Sequence, residues 1–448
     1  MYIKSVQFTN LRCYVDGAID LIYPNHATPT AVPSTLNNVN LILGVNGSGK
    51  TTALKAIALS LLAQFDIQSG FRPYSLVRRT AEGYAEKAVV RTEVVFGVLD
   101  HFGQGNPRPE HLRLEAEVQR FSSQEVLRFT SPTNVIFGQR ELSEELYSDN
   151  SPSFFMVAYG ATRRTESGDF DPSSRLKSRA ARYNRVAGLF EDHLALVPLR
   201  SWLEKTGRDP TRFAEVLKLI TALLPEGLEF KGEQEDEEYV FHQHGITVAF
   251  PALSDGYRAY IGWITDLLSH LVKICPAKSR LRDLEGVVLV DEIDLHVHPT
   301  WQREIVAQIA KALPQLQFVF TTHSPIVAGS ISSANLYIVT QDQENAVIRR
   351  PTTEVFGLSA DQILTSSVFG LNSTRAPEFV KQLEALESKA TQGDAEAAMN
   401  LMRGLSRGAG ASLESEAAIP ETEIPDWLTT AAKKTPAERN LKPSKLKG

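Results

Sequence analysis

Short apolar runs separated by polar or glycine-rich segments dominate the first 330 residues. Each run has about the length of a buried β-strand; they lie at 3–8, 39–43, 154–158, 287–290 and 318–322. Apolar runs bounded by turn residues are typical of parallel strands that are covered on both faces. Helical patterns follow from 51 to about 64 and from about 301 to 312. The second helix separates the last two runs, so the spacing predicts a βαβ unit and an α/β fold with a mostly parallel core sheet.

The pattern changes in two internal segments and again near the end. Between 88 and 130, β-like runs alternate with glycine and proline, which predicts an antiparallel β subdomain. From 163 onward the chain reads as loop and helix, with strands beside an acidic turn at 233–238. We predict a split domain over 1–330, a C-terminal strand and helical segment at 331–405, and a flexible basic tail at 406–448. The domain's insertions are predicted at 65–150 (β-rich) and 163–250 (helical and loop).

Composition excludes several classes of protein. The chain has 448 residues, 42% of them apolar, which is ample for a packed core. Its two cysteines cannot form a disulfide framework or a four-thiolate zinc site. A net charge of −6 argues against a surface coated in nucleic acid. Apolar runs stay well below the ~18 residues that a membrane span needs, and residues 1–6 read as a strand, so we expect a cytoplasmic protein without membrane contact.

A glycine-rich loop follows the apolar run at 39–43 and precedes the first helix. Residues 44–51 read Gly-Val-Asn-Gly-Ser-Gly-Lys-Thr and match the P-loop pattern G-x-x-x-x-G-K-[ST] in full. The glycines allow successive backbone N–H groups and the helix N-terminus to face nucleotide phosphates. Lys50 would reach the β- and γ-phosphates, and the Thr51 hydroxyl would ligate Mg²⁺. The pattern predicts an ATP site formed by Asn46, Gly47, Ser48, Gly49, Lys50, Thr51 and Thr52.

Two later strands end in polar residues that complete this chemistry. The run at 287–290 is followed by Asp291, which can hold Mg²⁺ through water, and by Glu292, a candidate general base for the attacking water. The run at 318–322 ends at His323. Because this strand should neighbour the Asp291 strand, His323 is a candidate sensor that donates to transition-state oxygen.

A second anion-binding helix start is predicted at residues 253–258, Leu-Ser-Asp-Gly-Tyr-Arg. The Ser-Asp-Gly segment, formed by Ser254, Asp255 and Gly256, precedes a helical run at 260–273. Taken alone, this segment is an ordinary helix cap. Its position shortly before Asp291 favours a functional role.

The order of these elements resembles the ABC-type ATPase heads of the SMC/RecF/OLD branch. Residues 10–14, Asn-Leu-Arg-Cys-Tyr, are similar to the Asn-Phe-Arg-Ser-Phe element of that branch, in which the arginine, here Arg12, lies near the nucleotide. Residues 291–299 are similar to its Asp-Glu-x-x-x-His-x-His-Pro run. The resemblance implies a head-to-head dimer or a higher oligomer in which the signature residues Ser254, Asp255 and Gly256 of one head face the nucleotide of another. Ser254 and Gly256 would contact the γ-phosphate held by Lys50 of that head.

The sequence departs from this branch at several positions. Asp255 and Tyr257 replace the usual signature residues, and residues 159–164, Tyr-Gly-Ala-Thr-Arg-Arg, stand where a Q-loop glutamine would be. No long coiled coil is expected. Residues 324–448 hold no clustered carboxylates of the Toprim kind, so we expect no nuclease domain of its own.

Four segments, 159–164, 281–286, 291–299 and 366–375, together resemble stand-alone ATPases of anti-phage defence systems. The Septu-type PtuA ATPases are the first comparison and the ATPase of the PARIS system the second. The resemblance implies a regulatory ATPase that controls a separate nuclease or toxin effector, with DNA or a phage protein as the trigger. The alternatives are a RecF-like DNA repair ATPase and a slow-turnover, nucleotide-bound scaffold.

Two segments are candidates for nucleic-acid or partner contacts. One is a basic cluster without an intervening acid, which suits phosphate contacts or a solvated helix face equally: Arg175, Lys177, Arg179, Arg182 and Arg185. The other is the tail, where Trp427 would be an apolar anchor for a docking partner and the basic residues would contact DNA or protein.

Overall fold

The computed structural model describes residues 1–26, 36–62, 73–100, 111–130, 153–163, 181–192, 194–343, 345–366 and 368–406. The chain divides into two compact units, Met1–Gly370 and Leu371–Gly448. Within these ranges, no helix has the length and apolar character needed to cross a bilayer. The predicted tail at 406–448 lies outside the described residues except for Ser406, which ends α11.

The strands, in chain order, are β1 (Tyr2–Leu11), β2 (Tyr14–Asp20), β3 (Val39–Leu43), β4 (Arg79–Thr80), β5 (Gly83–Tyr84), β6 (Lys87–Val95), β7 (His111–Phe121), β8 (Gln124–Thr130), β9 (Met156–Tyr159), β10 (Leu228–Glu235), β11 (Glu238–Gln243), β12 (Ile246–Ala249), β13 (Gly286–Val290), β14 (Leu316–Thr322), β15 (Leu336–Asp342) and β16 (Asn345–Arg349). The helices are α1 (Lys50–Leu62), α2 (Ala181–Asn184), α3 (Leu199–Thr206), α4 (Pro210–Leu223), α5 (Asp255–Ile274), α6 (Pro299–Gln302), α7 (Ile305–Ala312), α8 (Pro325–Gly329), α9 (Ala360–Thr365), α10 (Pro377–Thr391) and α11 (Ala395–Ser406). Short 3-10 turns lie at Ala187–Leu189, Phe250–Ala252, Leu281–Asp283 and Ser333–Asn335.

The central sheet of the first unit has the strand order β16-β15-β3-β14-β13-β9 within the described residues. Its pairings are parallel except for the β15–β16 hairpin. Because carboxyl ends of parallel strands meet at one edge, the segments after β3, β14 and β13 lie side by side. The predicted α/β fold with a mostly parallel core sheet is confirmed.

Both faces of this sheet are covered, and the side chains of β13 show how. Val287 and Leu289 pack with α1, whereas Val288 and Val290 pack with α5 on the other face. Two-sided burial explains why β13 is apolar at every position instead of alternating. The sequence pattern of the buried strands therefore reports their central place in the sheet.

Helix α1 is buried on two sides. It packs between the central sheet and an antiparallel sheet of order β2-β1-β6-β7-β8, and its residues 56–61 are all buried. A helix covered on two sides has no solvent-facing stripe, so even Ser60 is buried and its hydroxyl donates to the carbonyl of Ile57 at 2.8 Å.

Three regions differ from the sequence prediction. The unpredicted strand β10 extends into the acidic segment 233–238 and pairs with β11. The turn itself is limited to Asp236 and Glu237, which both have positive φ. Strands β15 and β16, predicted in a separate C-terminal segment, belong to the first unit because β15 pairs with β3. The predicted 301–312 helix is divided into α6 and α7. In the second unit, Gly404 of α11 lies against Leu383 of α10.

Candidate functional site

The P-loop connects β3 to α1, as predicted. Gly47 and Gly49 both have positive φ, 78° and 117°, a backbone conformation that residues other than glycine rarely adopt. Lys50 is buried, and its Nζ donates to the backbone oxygens of Gly44 at 2.9 Å and Val45 at 3.0 Å. The ammonium group is thus held inside the curve of the loop.

Acidic side chains surround that ammonium group. Burial lowers the pKa of Lys50, and the negative charges of Asp291, Glu292 and Asp294 oppose this shift. Ser48 lies in the same loop with its hydroxyl oxygen buried and without a hydrogen-bond partner in the described part of the chain. A buried polar atom of this kind needs a ligand or water to satisfy it.

Cys13 and Tyr14, which follow β1, contact the backbone of the P-loop. The Tyr14 hydroxyl donates to the carbonyl of Gly49 at 3.1 Å, and the Cys13 thiol faces the carbonyl of Ser48 at 4.0 Å. Burial raises the pKa of Cys13, although the Thr52 hydroxyl beside it opposes the shift. A Cβ on Gly49 would lie 2.7 Å from the Cys13 sulfur, so residue 49 must be glycine for this contact.

Arg12 directly precedes Cys13 and Tyr14. It is exposed and has a positive φ of 49°. Burial lowers the pKa of Lys55 in α1, and the positive charge of Arg12 lowers it further. Arg12 therefore lies near the first turns of α1, and its predicted contact with nucleotide stays a prediction.

Thr51, in the first turn of α1, and Asp291, directly after β13, are hydrogen-bonded to each other. The Thr51 hydroxyl donates to Asp291 Oδ2 at 2.7 Å, and the Thr321 hydroxyl donates to Oδ1 at 2.5 Å. Asp291 is buried, and both carboxylate oxygens are therefore oriented by hydroxyl groups. The predicted Mg²⁺ pair is thus brought together, and Thr321 is an additional partner that sequence analysis missed.

Glu292 follows in a left-handed backbone conformation with φ of 49°. This region is costly for a residue with a side chain and is often found at functional sites. The Glu292 N–H donates to the Thr321 hydroxyl at 2.8 Å, and the Arg163 guanidinium donates to the Glu292 carbonyl oxygen. Arg163 belongs to the Tyr-Gly-Ala-Thr-Arg-Arg segment, and the sequence pattern predicts no role for it. Its position shortly after β9 is the one feature of the sequence that could have indicated a place near the nucleotide site.

His323 ends β14 beside the Asp291 strand, as predicted. Its Nε2 lies 3.5 Å from Asp294 Oδ2, and its Nδ1 has no hydrogen-bond partner among the described residues. The Thr322 hydroxyl donates to Asp294 Oδ1 at 2.5 Å, so Asp294 is fixed from both sides. A donor role of His323 toward phosphate stays a prediction.

The Ser-Asp-Gly segment at 254–256, called the signature segment below, lies at the start of α5. Ser254 caps the helix by accepting from the Tyr257 N–H at 3.5 Å, and Asp255 forms an ion pair with Arg258. Ser254 and Asp255 are exposed. A Cβ on Gly256 would lie 2.4 Å from the carbonyl oxygen of His296, so the signature helix touches the loop after Asp291.

The basic cluster is only partly within the described residues. Arg175, Lys177 and Arg179 lie outside them, as does Trp427, and the side chain of Arg182 is also outside. Arg185 is 4% exposed, and its guanidinium lies 5.3 Å from the centre of the Phe155 ring. The prediction that Arg185 contacts nucleic acid or a partner at the surface is therefore wrong, because its side chain is buried and packs against Phe155.

These residues suit a magnesium nucleotide. The hydroxyl and carboxylate oxygens of Thr51 and Asp291 are ligands that Mg²⁺ prefers, and Ser48 leaves a buried oxygen unsatisfied in the loop. A Cβ on Gly47 would meet nothing within 4 Å, so the loop is open on that side. The donors, the buried Lys50 ammonium group and the strand-to-helix loop define a P-loop NTPase site on a mostly parallel α/β sheet.

Comparison with known families is consistent with this class. The model of the family described as "AAA domain, putative AbiEii toxin, Type IV TA system" matches residues 39–328, and the chain belongs to this family. The match begins at β3 and ends within α8, so it includes the P-loop, Asp291 and His323.

Two curated relatives carry names from defence systems. The chain is 27% identical to "Septu protein PtuA" of Bacillus mycoides (strain KBAB4) over 337 residues, which cover 75% of this chain and 41% of the relative. It is 31% identical to "Retron Vc95 probable ATPase" of Vibrio cholerae serotype O1 biovar El Tor over 148 residues, 32% of this chain and 29% of the relative. The predicted resemblance to Septu-type ATPases is confirmed. The chain spans less than half the length of each of these relatives.

Among solved structures, the chain is similar to "SMC head domain from Thermotoga maritima". The TM-score is 0.42 at 15% identity, with 79% of this chain and 100% of that chain covered.

Proposed function

We propose that this protein binds and hydrolyses ATP with Mg²⁺ and acts as the regulatory subunit of an anti-phage defence complex. The observation that supports the chemistry most directly is the 2.7 Å hydrogen bond between Thr51 and Asp291. It joins the P-loop to the end of β13, where Glu292 follows. Family membership supports the ATPase assignment independently.

In the proposed reaction, Lys50 and the P-loop N–H groups bind the phosphates while Thr51 and Asp291 hold Mg²⁺. Bound Mg²⁺ would supply positive charge that offsets the charge developing on the phosphate oxygens. Glu292 orients water and accepts its proton, and His323 donates toward the γ-phosphate oxygens. The ordered Thr321 hydroxyl keeps the Asp291 carboxylate in place.

The signature residues are proposed to act on a second copy of this chain. Ser254 and Asp255 are exposed, and the hydrogen bonds described for Ser254 are all made within its own helix start. They are therefore available to contact nucleotide held by a partner's Lys50. The close approach of Gly256 to His296 would connect this dimer surface to the Asp291 loop of the same head.

The defence role rests on the names of the relatives, "Septu protein PtuA" and "Retron Vc95 probable ATPase". We propose that the nucleotide state of the dimer controls a separately encoded nuclease or toxin effector. The alternative of a RecF-like DNA repair ATPase has less support, because Arg185 of the candidate phosphate-binding cluster is buried.

The decisive experiment measures steady-state ATP hydrolysis and dimer formation for the wild type and for Glu292→Gln. The substitution should abolish hydrolysis while ATP-dependent dimers accumulate. Glu304→Gln, a change at an exposed glutamate, is the matched control and should behave like wild type. Equal turnover in Glu292→Gln and wild type would contradict the catalytic assignment, and recovery of the chain alone from its native operon would contradict the effector proposal.

A further inference from the structure

Arg163 connects the end of β9 to the end of β13. Its Nη2 donates to the carbonyl oxygen of Asp291 at 2.8 Å and also to that of Glu292. The two strands are parallel neighbours, and the Asp291 N–H donates to the carbonyl of Tyr159 at 2.8 Å. Arg163 thus extends the β9–β13 pairing beyond the last ladder bond, through a side chain.

Strand β14 holds the same turn from the opposite side. The Thr321 hydroxyl accepts from the Glu292 N–H at 2.8 Å, and the Thr321 carbonyl accepts from the Ile293 N–H at 2.9 Å. Both ends of residue Glu292 are therefore bound: its N–H to β14 and its carbonyl to Arg163. These bonds hold the left-handed φ of 49°, a strained conformation that needs such support.

The surroundings of Arg163 keep its charge at this turn. The guanidinium carbon lies 6.0 Å from the centre of the Trp263 ring. Burial lowers the pKa of Arg163 to about 10, while the negative charges of Asp291, Asp294 and Glu292 oppose the shift. At neutral pH the side chain remains a cation. A partly buried cation is costly unless it is paired, so its two carbonyl contacts and the nearby carboxylates account for its presence.

We propose that Arg163 is a positioning residue for Glu292: by binding the carbonyl oxygens of the two peptide units that flank the Glu292 Cα, those of Asp291 and Glu292, it sets the direction of the Glu292 carboxylate. This inference rests on the proposed role of Glu292 as general base. Arg163 contacts main-chain oxygens and acts through Glu292, so it belongs to the arrangement of the base and not to phosphate binding. Its place in the chain is the one at which a Q-loop glutamine was expected and not found.

The test separates catalysis from binding and folding. In Arg163→Ala, kcat for ATP should fall about 10²-fold, the loss that follows a misplaced catalytic group, while KM and the Kd for a nonhydrolysable ATP analogue change little. Because both described bonds leave one nitrogen, a lysine ammonium can make the same pair. Arg163→Lys should therefore recover turnover to within about tenfold of wild type.

Arg212→Ala provides the matched control. Arg212 also binds two backbone oxygens, those of Pro276 at 3.2 Å and Ser279 at 2.9 Å, but outside the nucleotide site. Both alanine variants should lower the Tm, whereas only Arg163→Ala should lower kcat. Wild-type kcat in a folded Arg163→Ala would overturn the inference, as would equal losses in the two variants. If the wild type hydrolyses no ATP, or if Glu292→Gln is as active as wild type, the proposed function fails instead.

Discussion

The Thr51 hydroxyl lies 2.7 Å from Asp291 Oδ2, although 240 residues separate the two positions. Thr51 lies in the first turn of α1, at the end of the P-loop, and Asp291 directly follows β13; β14 lies between β3 and β13 in the sheet. The contact exists because parallel strands bring their carboxyl ends to one edge. The fold therefore brings both proposed Mg²⁺ ligands together.

Thr51→Ala should lower ATP turnover at least about tenfold and raise the Mg²⁺ concentration needed for half-maximal rate, because one oxygen ligand is lost. Thr51→Ser keeps the hydroxyl and should remain close to wild type. The measurement is hydrolysis rate against Mg²⁺ concentration at saturating ATP. An unchanged Mg²⁺ dependence in the alanine variant would show that Thr51 does not hold the metal.

Gly49 and Gly47 offer a comparison within one loop. Both have positive φ, so alanine is strained at each position. A Cβ at 49 would also meet the Cys13 sulfur at 2.7 Å and the Tyr14 hydroxyl at 2.8 Å, whereas a Cβ at 47 meets nothing within 4 Å. Gly49→Ala should therefore lower the Tm more than Gly47→Ala.

The comparison is made by thermal unfolding without nucleotide, so that losses in ATP binding do not contribute. Tyr14→Phe, which removes only the hydroxyl bonded to Gly49, should cost about 1 kcal/mol in the free energy of unfolding. Equal Tm values for the two glycine variants would mean that Cys13 and Tyr14 can move aside without lowering the stability of the fold.

Sequence patterns predicted the parts of the site that are local. The runs that became β3, β13 and β14 are apolar throughout because both faces of the sheet are buried, and each is followed directly by its polar site residues. Lys50 and Thr51 are fixed by a contiguous motif. A pattern that is read along the chain suffices wherever function follows the end of a single strand.

Residues that act across strands were not predictable in the same way. The role of Arg163 depends on β9 lying beside β13, a pairing between segments more than 100 residues apart. Basic neighbours in the sequence predict a surface position for Arg185, but the Phe155 ring that packs against it comes from the segment before β9. Cys13 and Tyr14 support the P-loop only through tertiary packing. Such contacts leave no periodic signal in the sequence.

A buried carboxylate in α5 predicts a pH dependence of stability. Asp266 accepts from the Tyr159 hydroxyl and the Val197 N–H, both at 2.7 Å, and lies 3.4 Å from His270 Nε2. Burial alone would raise the pKa of Asp266, but His270 and these hydrogen bonds lower it below the usual value. A carboxylate with a depressed folded-state pKa contributes stability above its unfolded pKa of about 3.9, and this contribution is lost as the pH falls through the folded pKa.

Asp266→Asn should therefore cost about 2 kcal/mol or more at pH 7, because partners of a buried acceptor are left unsatisfied. The difference from wild type should shrink as the pH is lowered below about 4. Urea unfolding over this pH range measures it, with Asp283→Asn at an exposed ion pair as the control. A difference that stays constant down to pH 3 would assign the cost to packing instead of charge.

The contact between Gly256 and His296 leads to a prediction about coupling. A Cβ at residue 256 would lie 2.4 Å from the carbonyl oxygen of His296, so Gly256→Ala must separate α5 from the loop after Asp291. In an ordinary helix position, Gly→Ala is stabilising by about 0.4–1 kcal/mol. Here we expect the opposite sign, a loss of about 1–3 kcal/mol in the free energy of unfolding, together with a fall in ATP-dependent dimerisation and turnover.

Gly404→Ala is the matched control for this change. The new Cβ in α11 would lie 2.7 Å from Leu383 Cδ2, a side-chain atom that can move aside, so neither turnover nor dimerisation should change. Analytical ultracentrifugation with and without ATP and a phosphate-release assay measure the two effects. If Gly256→Ala unfolds at a lower denaturant concentration but dimerises and hydrolyses ATP as wild type does, the contact serves only folding. If dimerisation and turnover fall together while Gly404→Ala is unaffected, the signature helix and the Asp291 loop act as one unit in the dimer.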